Sequence, residues 1–448
     1  MSDSGSPTQI SRRRFLGSQA AIAAIGATPL LGTAMEALAS SPTAKAPVQD
    51  YYDILGVGKF INAAGTYTAL TSATMPPVVQ AAVAEAAKHP VHLAELQQKS
   101  GEYIANKLKC EGALVSCGAS SALSLATAAC VQSANGCSPM DIPQEIGGKF
   151  PKNEVIMMKA HRYGYDHGMF ITGIKVVEVV TLDDYKKAFN ANTVMTNFFN
   201  AADGGDISRE DWLKVAHEHN VPCTIDAAAD MPPISNLWNY TNMGFDLVCF
   251  SGGKAIRGPQ NAGLLLGKKK LIDLAYQNNN PGDGVGRGMK VAKEQIVGMV
   301  AAVDWLLSQT DESMEKEARR KDAIIIDAVK GIPSVQTSIF VPAFANAFPH
   351  LMVTFDPKVI GIDVREARQR LLTGTPAIEL NPHTGSTRPS QGVPANPNAL
   401  VVITSFMADG EAEQVGQQIS KLLKDPKSVG HLPPGGMPPP RTRRGSGA

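Results

Sequence analysis

The residues best suited to chemistry lie in the segment FDLVCFSGGKAIRGPQNAGLLLGKKK, which runs from Phe245 to Lys270. A short apolar run, Leu247–Phe250, predicts a buried strand, and a second one follows at Ala262–Leu266. Between them, a glycine turn holds Lys254. Burial in such a turn lowers the pKa of an ammonium group and frees the amine as a nucleophile. Lys254 is therefore a candidate for a Schiff base with a carbonyl compound, although a solvated lysine in a turn would give the same string.

A carboxylate lies one strand earlier. The segment VPCTIDAAAD predicts a buried strand over Val221–Asp226 that ends in Asp226. Pyridoxal phosphate (PLP) needs a carboxylate against its ring nitrogen, because the protonated ring accepts electrons during carbanion chemistry. Asp226 would also suit a helix N-cap before Ala227. Its pairing with Lys254 favours the cofactor role.

Small residues open a helix still earlier, in ALVSCGASSALSLATAAC (Ala113–Cys130). The exposed N–H groups of a helix N-terminus bind anions, and here the anion would be the cofactor phosphate. An ordinary turn that caps a buried helix is the alternative. The order of phosphate helix, aspartate strand and lysine strand favours a PLP site.

Several strings carry a family resemblance: FSGGKAIRGPQNAG around Lys254, CGASSALSLATAAC, INAAGTYTALTSATMPPVVQAAVAEAA and VHLAELQQKSGEYIA. Together they resemble bacterial selenocysteine synthase, the L-seryl-tRNA(Sec) selenium transferase family, with its D-glucosaminate-6-phosphate ammonia-lyase-like relatives. The resemblance covers Tyr52–Leu423. It implies an α/β PLP enzyme of fold type I, like aspartate aminotransferase. Such an enzyme has a mostly parallel sheet in a large domain, a small C-terminal α+β domain, and active sites at the subunit interface of a homodimer or larger homo-oligomer.

The resemblance also assigns roles to residues. Lys254 would be the Schiff-base lysine, and Asp226 the partner of the ring nitrogen. His161, just after a strand at Glu154–Met158, would lie near the ring face. The implied phosphate contacts are Ser251, Gly118, Ala119, Ser120 and Ser121.

The string HRYGYDH offers a different reading of His161. Together with Asp166 and His167, it could form a metal site. No cysteine supports these three ligands, and a structural loop histidine explains the pattern better, so we expect no metal.

Candidate substrate contacts are fewer. Arg388, in NPHTGSTRP, carries a guanidinium that suits a carboxylate or a phosphate. His92 and Glu95, with His89, would approach the site from a neighbouring subunit. A solvated surface position is an equal alternative for all four residues.

The first 39 residues have the shape of a twin-arginine signal peptide. SRRRFLG spans Ser11–Gly17, a moderately apolar stretch spans Ala20–Leu31, and Ala37–Ala39 suits cleavage. A basic disordered N-terminus is the alternative. The apolar stretch is too short for a membrane anchor. We expect export of the folded, cofactor-loaded protein to the periplasm or the exterior.

The net charge of the chain indicates which kind of partner or substrate it can bind. The chain has a formal net charge of +1, and its first 39 residues and the tail from Pro426 are both basic, so residues 40–425 carry about −4. A neutral-to-acidic body lacks the basic footprint of a nucleic-acid-binding protein. Selenocysteine synthase also carries a tRNA-recognition domain before its core, whereas here the core pattern begins near Tyr51. We therefore expect a small-molecule amine substrate and no nucleic acid.

The chain of 448 residues, 44% of them hydrophobic, has ample material for a core. Its six cysteines lack CxxC spacing and predict buried thiols, with Cys130 and Cys137 as the pair that an oxidising compartment would allow to join. The predicted parts are a signal peptide (1–39), a linker (40–50), a large PLP domain (51–310), a small domain (311–425) and a disordered Pro/Gly/Arg tail (426–448).

These inferences predict a PLP-dependent transferase or lyase that acts on a small amino acid or amino sugar. It would proceed by Schiff-base formation, Cα-deprotonation and β-elimination. An aminotransferase on the same scaffold is one alternative. An exported PLP-fold protein without catalysis is the other, and the intact pair of Lys254 and Asp226 argues against it.

Overall fold

The computed structural model describes residues 49–201, 205–343, 345–389 and 392–434. The predicted signal peptide, most of the predicted linker and the end of the predicted tail lie outside these residues. The chain divides into one unit up to Lys59 and a second unit from Phe60 onward. In the first unit, the Asp50 side chain caps helix α1 (Tyr51–Leu55) by accepting from the N–H groups of Tyr52 and Asp53.

The strands of the second unit alternate with helices as far as β7, and β8 follows β7 without a helix between them. They are β1 (Ile61–Ala63), β2 (Gly112–Ser116), β3 (Glu154–Met158), β4 (Lys175–Val179), β5 (Thr193–Phe199), β6 (Cys223–Asp226), β7 (Leu247–Ser251), β8 (Gly263–Gly267), β9 (Gln336–Phe340), β10 (His350–Thr354), β11 (Ile378–Leu380) and β12 (Ala399–Val402).

The α-helices of this unit follow the same chain order. They are α2 (Pro77–Ala87), α3 (Leu93–Leu108), α4 (Gly118–Asn135), α5 (His167–Phe170), α6 (Leu182–Ala188), α7 (Arg209–Glu218), α8 (Asn236–Met243), α9 (Lys269–Asn278), α10 (Lys293–Leu307), α11 (Asp311–Val329), α12 (Pro357–Ile360), α13 (Val364–Leu372) and α14 (Glu411–Lys424).

The main sheet has seven strands in the order β2-β8-β7-β6-β5-β3-β4. Strands β3 to β7 run parallel, and β8 is antiparallel to both of its neighbours. Every residue of β2, β6 and β8 is buried, as expected for strands covered on both faces. The predicted mostly parallel α/β sheet is confirmed.

The C-terminal part is built on a second core. Strands β9, β10 and β12 form an antiparallel sheet, and helix α11 packs against α14. Strand β1, although it comes first in the chain, pairs in parallel with β11, so that Ile61 lies beside Ile378. The side chains of Ile61 and Ala63 consequently belong to this core. The predicted division at residue 310 falls between α10 and α11.

The register of the main sheet collects the predicted site residues at one edge. Gly263 in β8 lies between Ser116 at the end of β2 and Ser251 at the end of β7. Asp226, which ends β6, pairs with Cys249 of β7. The carboxyl ends of parallel strands form the usual ligand crevice of an α/β sheet.

The structure corrects the predicted tail at its start. Residues 426–431 are part of the fold, because Val429 is buried in the C-terminal core and the His431 backbone N–H donates to Thr373 Oγ1 at 2.9 Å. All six cysteines are free thiols, including Cys130 and Cys137. None of the helices within the described ranges is long and apolar enough to cross a bilayer.

Candidate active site

A cavity of about 520 Å³ opens at the carboxyl edge of the main sheet. Six of the predicted site residues line it: Lys254, Asp226, Ser251, Gly118, Ala119 and Ser120. Residues of the C-terminal part, among them His350 and Asn381, also line the cavity. The sheet edge therefore brings together the aspartate, the lysine and the helix start that the sequence predicts.

Lys254 lies in a tight turn after β7 that only glycine can form. A Cβ on Gly253 would lie 2.7 Å from the Gln260 Cα, and one on Gly252 would lie 2.7 Å from the Ala262 oxygen. Burial lowers the pKa of the Lys254 ammonium, and the charges of Asp226 and Asp230 partly oppose that effect. The turn thus holds a desolvated amine at the cavity.

Asp226 is 2% exposed. Its Oδ1 accepts from the Ala228 N–H at 3.0 Å, and its Oδ2 accepts from the Tyr163 hydroxyl. Burial raises the pKa of Asp226, while these hydrogen bonds and the charge of Lys254 hold the rise back. A buried carboxylate with this support is suited to face a cationic ring nitrogen.

A second carboxylate, Asp230, lies behind the first. It is fully buried, and its Oδ2 accepts from the Tyr240 hydroxyl at 3.1 Å. Burial, together with the nearby charge of Asp226, raises the pKa of Asp230 to about 7. Sequence reasoning missed this residue, although its spacing of four from Asp226 in DAAAD was visible.

Helix α4 starts at the cavity without a side-chain cap. Gly118 at its start has φ +81°, and a Cβ on Gly263 of β8 would lie 2.5 Å from the Gly118 carbonyl carbon. The two backbones therefore touch, and the first N–H groups of the helix are left for an anion. Ser121 does not line the cavity, but its buried Oγ has no hydrogen-bond partner in the described part of the chain.

PLP fits this arrangement of groups. Uncapped N–H groups suit a phosphate, a buried carboxylate suits the ring nitrogen, and a desolvated amine suits an aldehyde carbon.

His161 does not line the cavity. It is 3% exposed, its Nδ1 accepts from the Phe199 N–H at 3.2 Å, and its ring meets Phe198 edge-on at 4.5 Å. Tyr163, two residues later, lines the cavity instead and stacks on Phe199 at 3.9 Å. The position predicted for His161 near a ring face is therefore corrected, because the strand exit turns His161 into the core.

The other members of the HRYGYDH string have partners of their own. Asp166 accepts from Arg162 Nε at 2.6 Å, and the His167 ring meets Phe170 edge-on. No group of three or more His, Cys, Asp or Glu side chains in the described ranges is arranged to hold a metal ion.

The predicted substrate residues lie away from the cavity. Arg388, His92 and Glu95 are exposed, and none of them lines it. His92 immediately precedes helix α3, and Glu95 lies in its first turn. The approach of His92 and Glu95 from a neighbouring subunit stays a prediction.

Sequence comparisons place the chain among known proteins. The family model described as SelA, L-seryl-tRNA selenium transferase, matches residues 60–318. A 5'-C-glycyluridine monooxygenase-decarboxylase from a Streptomyces species is 25% identical over 391 residues, which are 84% of this chain and 92% of that protein. D-glucosaminate-6-phosphate ammonia lyase from Salmonella typhimurium is 26% identical over 341 residues, 73% of this chain and 88% of the relative.

A solved structure shares the fold. The structure of D-glucosaminate-6-phosphate ammonia-lyase superposes with a TM-score of 0.70 at 23% identity, covering 84% of this chain and all of the other. The predicted fold class, that of fold-type-I PLP enzymes, is confirmed.

Proposed function

The chain belongs to the L-seryl-tRNA selenium transferase family, a family of PLP-dependent enzymes, and from this premise we propose that it acts on a small free amine. The substrate would be an amino acid or amino sugar. The reaction would remove the proton from the amine-bearing carbon and expel a group from the adjacent carbon, as a lyase or a transferase does.

The observation that carries this proposal is the combination of Lys254 with Asp226. Burial favours the neutral amine of Lys254, and Asp226 is held by the Tyr163 hydroxyl and the Ala228 N–H. Desolvation makes the Lys254 ammonium easier to deprotonate, so that the amine can attack an aldehyde carbon and can also carry a proton, whereas a surface lysine is protonated at neutral pH.

Bound PLP supplies an electron sink for the charge that proton removal leaves on carbon. Asp226 would keep the ring nitrogen protonated, and the start of helix α4, with Ser251, would bind the phosphate. The Lys254 Nζ would take the proton from the substrate carbon and deliver it to the leaving group.

We propose that tRNA is not the substrate. The formal charge of about −4 over residues 40–425 gives little attraction for a polyanion. Filter binding with seryl-tRNA at near-physiological salt tests this point. Salt-resistant, sub-micromolar binding by the protein without its first 39 residues would overturn it.

The reaction itself is tested with a panel of amino acids and amino sugars. For a lyase reaction on an amino acid, we expect ammonia and a 2-oxo acid to form in equal amounts, and for a lyase or a transferase we expect no accumulation of pyridoxamine phosphate. Stoichiometric pyridoxamine phosphate would identify an aminotransferase instead.

The same panel is run with Lys254→Ala as the test variant and Lys175→Ala as its matched control. Lys175 is suitable as a control because it is an exposed lysine at the start of β4. Lys175→Ala should keep full turnover. Turnover that survives Lys254→Ala would show that the assigned lysine is wrong.

We propose further that residues 1–39 direct export through the twin-arginine route and that the mature protein is a homo-oligomer. Replacing Arg12 and Arg13 with lysine should leave the precursor in the cytoplasm. Undiminished export of that variant would contradict the assignment. Light scattering on the purified protein tests the oligomeric state, and a monomer would refute it.

A further inference from the structure

The part of the cavity wall that the C-terminal region forms holds a buried histidine in one fixed orientation. His350, the first residue of β10, is 3% exposed and lines the cavity. Its ring stacks on Phe348 at 5.2 Å with an interplanar angle of 6°, and the Phe340 ring lies edge-on at 6.2 Å. Contacts with two aromatic rings leave the imidazole little freedom to turn.

The hydrogen bond of His350 fixes its tautomer. The Nδ1 atom lies 2.8 Å from the Phe348 carbonyl oxygen. A carbonyl only accepts, so Nδ1 carries the hydrogen. Burial and the neighbouring His383 lower the pKa of His350 to about 4, which keeps the ring neutral at physiological pH. Nε2 of a neutral ring in this tautomer is an acceptor, which a hydroxyl group of a ligand can satisfy.

The rest of this wall is also polar without formal charge. Asn381 is 3% exposed, donates to the Ala64 carbonyl at 2.8 Å and accepts from the His383 N–H at 2.9 Å. Asn346 accepts from the Thr66 hydroxyl at 3.3 Å. Amides and hydroxyls held in this way match the donors and acceptors of a sugar-like chain.

Cations are scarce in the cavity. Among the described residues that line it, Lys254 is the only lysine or arginine. Arg368, near the same wall, is committed to Glu379, with its Nη2 at 2.6 Å and its Nε at 3.2 Å from Oε1. A phosphate dianion is bound by guanidinium groups, ammonium groups or helix N-termini, and the start of α4 is already assigned to the cofactor phosphate.

We propose that the wall formed by His350, Asn381 and Asn346 binds the uncharged, hydroxyl-rich part of the substrate, so that the enzyme takes an unphosphorylated polyhydroxylated amine. This inference rests on the proposed function. It separates the chain from its Salmonella relative, whose name specifies a 6-phosphate.

The test is isothermal titration calorimetry of the cofactor-loaded protein with three matched ligands. D-glucosaminate carries the hydroxyls, D-glucosaminate 6-phosphate adds the phosphate, and D-2-aminohexanoate has the same six carbons without hydroxyls. We expect D-glucosaminate to bind at least about tenfold more tightly than either of the other two, which is about 1.4 kcal/mol. Tighter binding of the 6-phosphate would overturn the proposal.

Two variants assign the preference to His350. His350→Phe keeps an aromatic ring against Phe348 but removes the acceptor, and His350→Gln places an amide near the Nε2 position. We expect His350→Phe to weaken the binding of D-glucosaminate about tenfold and to leave the binding of D-2-aminohexanoate unchanged. His350→Gln should restore part of the lost affinity for D-glucosaminate. Equal weakening of both ligands, or of neither, would refute a role in recognition.

Arg388→Ala is the control for a distant guanidinium, since Arg388 is exposed and outside the cavity lining. It should leave all three affinities unchanged, and a selective loss of 6-phosphate binding would contradict the inference.

Failure of the inference and failure of the proposed function give different results. A protein without the visible absorbance of bound PLP refutes the proposed function. A protein with that absorbance that binds none of the three ligands refutes only the present inference.

Discussion

The two ends of the cavity are built on different chemistry. At the sheet edge, a lysine and two buried carboxylates lie within reach of one another's charge, and burial shifts the pKa of each. On the wall formed by the C-terminal part, the polar groups are an imidazole and amides, and the histidine is held neutral. Charge is thus concentrated where a proton must move, and the neutral groups lie where a substrate would be recognised. Substitutions at the two ends should have different consequences.

The largest effect is expected for Lys254→Ala. Loss of the Lys254 amine should remove the visible absorbance of lysine-linked PLP and reduce turnover by about 10³-fold or more, because both the attachment and the base are lost. Absorbance spectroscopy and the mass of the borohydride-reduced protein check this. An unchanged spectrum, or a reduced adduct on another lysine, would refute the assignment.

Asp226→Ala should reduce turnover by about 10²-fold or more while the protein still binds PLP. A neutral ring nitrogen accepts electrons poorly, and preorganised electrostatic groups have effects of this size. The cofactor content and kcat of the same preparation are the measurements. Full activity in this variant would mean that another group meets the nitrogen.

Tyr163→Phe should have an intermediate effect, with about a tenfold loss of kcat. The Tyr163 hydroxyl donates to Asp226 and lowers its pKa, and a hydrogen bond to a charged group contributes about 1.5–3 kcal/mol. Without that donor, the pKa of Asp226 rises, so the acid limb of the pH profile should move to higher pH. The stack on Phe199 is retained, and an unmoved acid limb would exclude tuning through this hydroxyl.

The smallest effect on catalysis is expected for Asp322→Asn, in the C-terminal core. Asp322 is buried, accepts from Thr404 Oγ1 at 2.8 Å, and has a pKa raised by burial from 3.8 to about 6. The unfolded chain releases the Asp322 proton at a lower pH than the folded protein does. The free energy of unfolding therefore decreases as the pH rises from about 4 to about 6.

An asparagine keeps the acceptor for Thr404 and removes the titration. The variant should therefore be more stable than the wild type by about 1–3 kcal/mol above pH 6, with equal stability near pH 4 and unchanged kcat. Thermal melts across this pH range decide the matter, and parallel pH curves for the two proteins would contradict the assignment.

The part of the cavity at the carboxyl ends of the strands was predictable because its signals are local in sequence. A strand that ends in Asp226, a glycine turn around Lys254 and a small-residue helix start at Gly118 can each be recognised within a few residues. The parallel pairing of β6 with β7 and the antiparallel pairing of β8 with both β7 and β2 then place them together.

The neutral wall could not be predicted in the same way. His350 begins β10 and Asn381 follows β11, and only tertiary packing brings both to the cavity. His161 was misplaced for a related reason, because the direction of a side chain after a strand depends on the local turn. Arg388 was chosen for its charge, which says nothing about whether it reaches the cavity.

The pairing of β1 with β11 has a consequence for the order in which the protein matures. Asn381, just after β11, donates to the carbonyl of Ala64, which is 317 positions earlier in the chain, and Ala64 itself lines the cavity. The ribosome must release most of the chain before this contact can close. Long-range contacts of this kind slow folding, because a large loop must be ordered first. The substrate wall is therefore completed only after synthesis has passed residue 381, so assembly of the whole cavity follows translation of nearly the entire polypeptide.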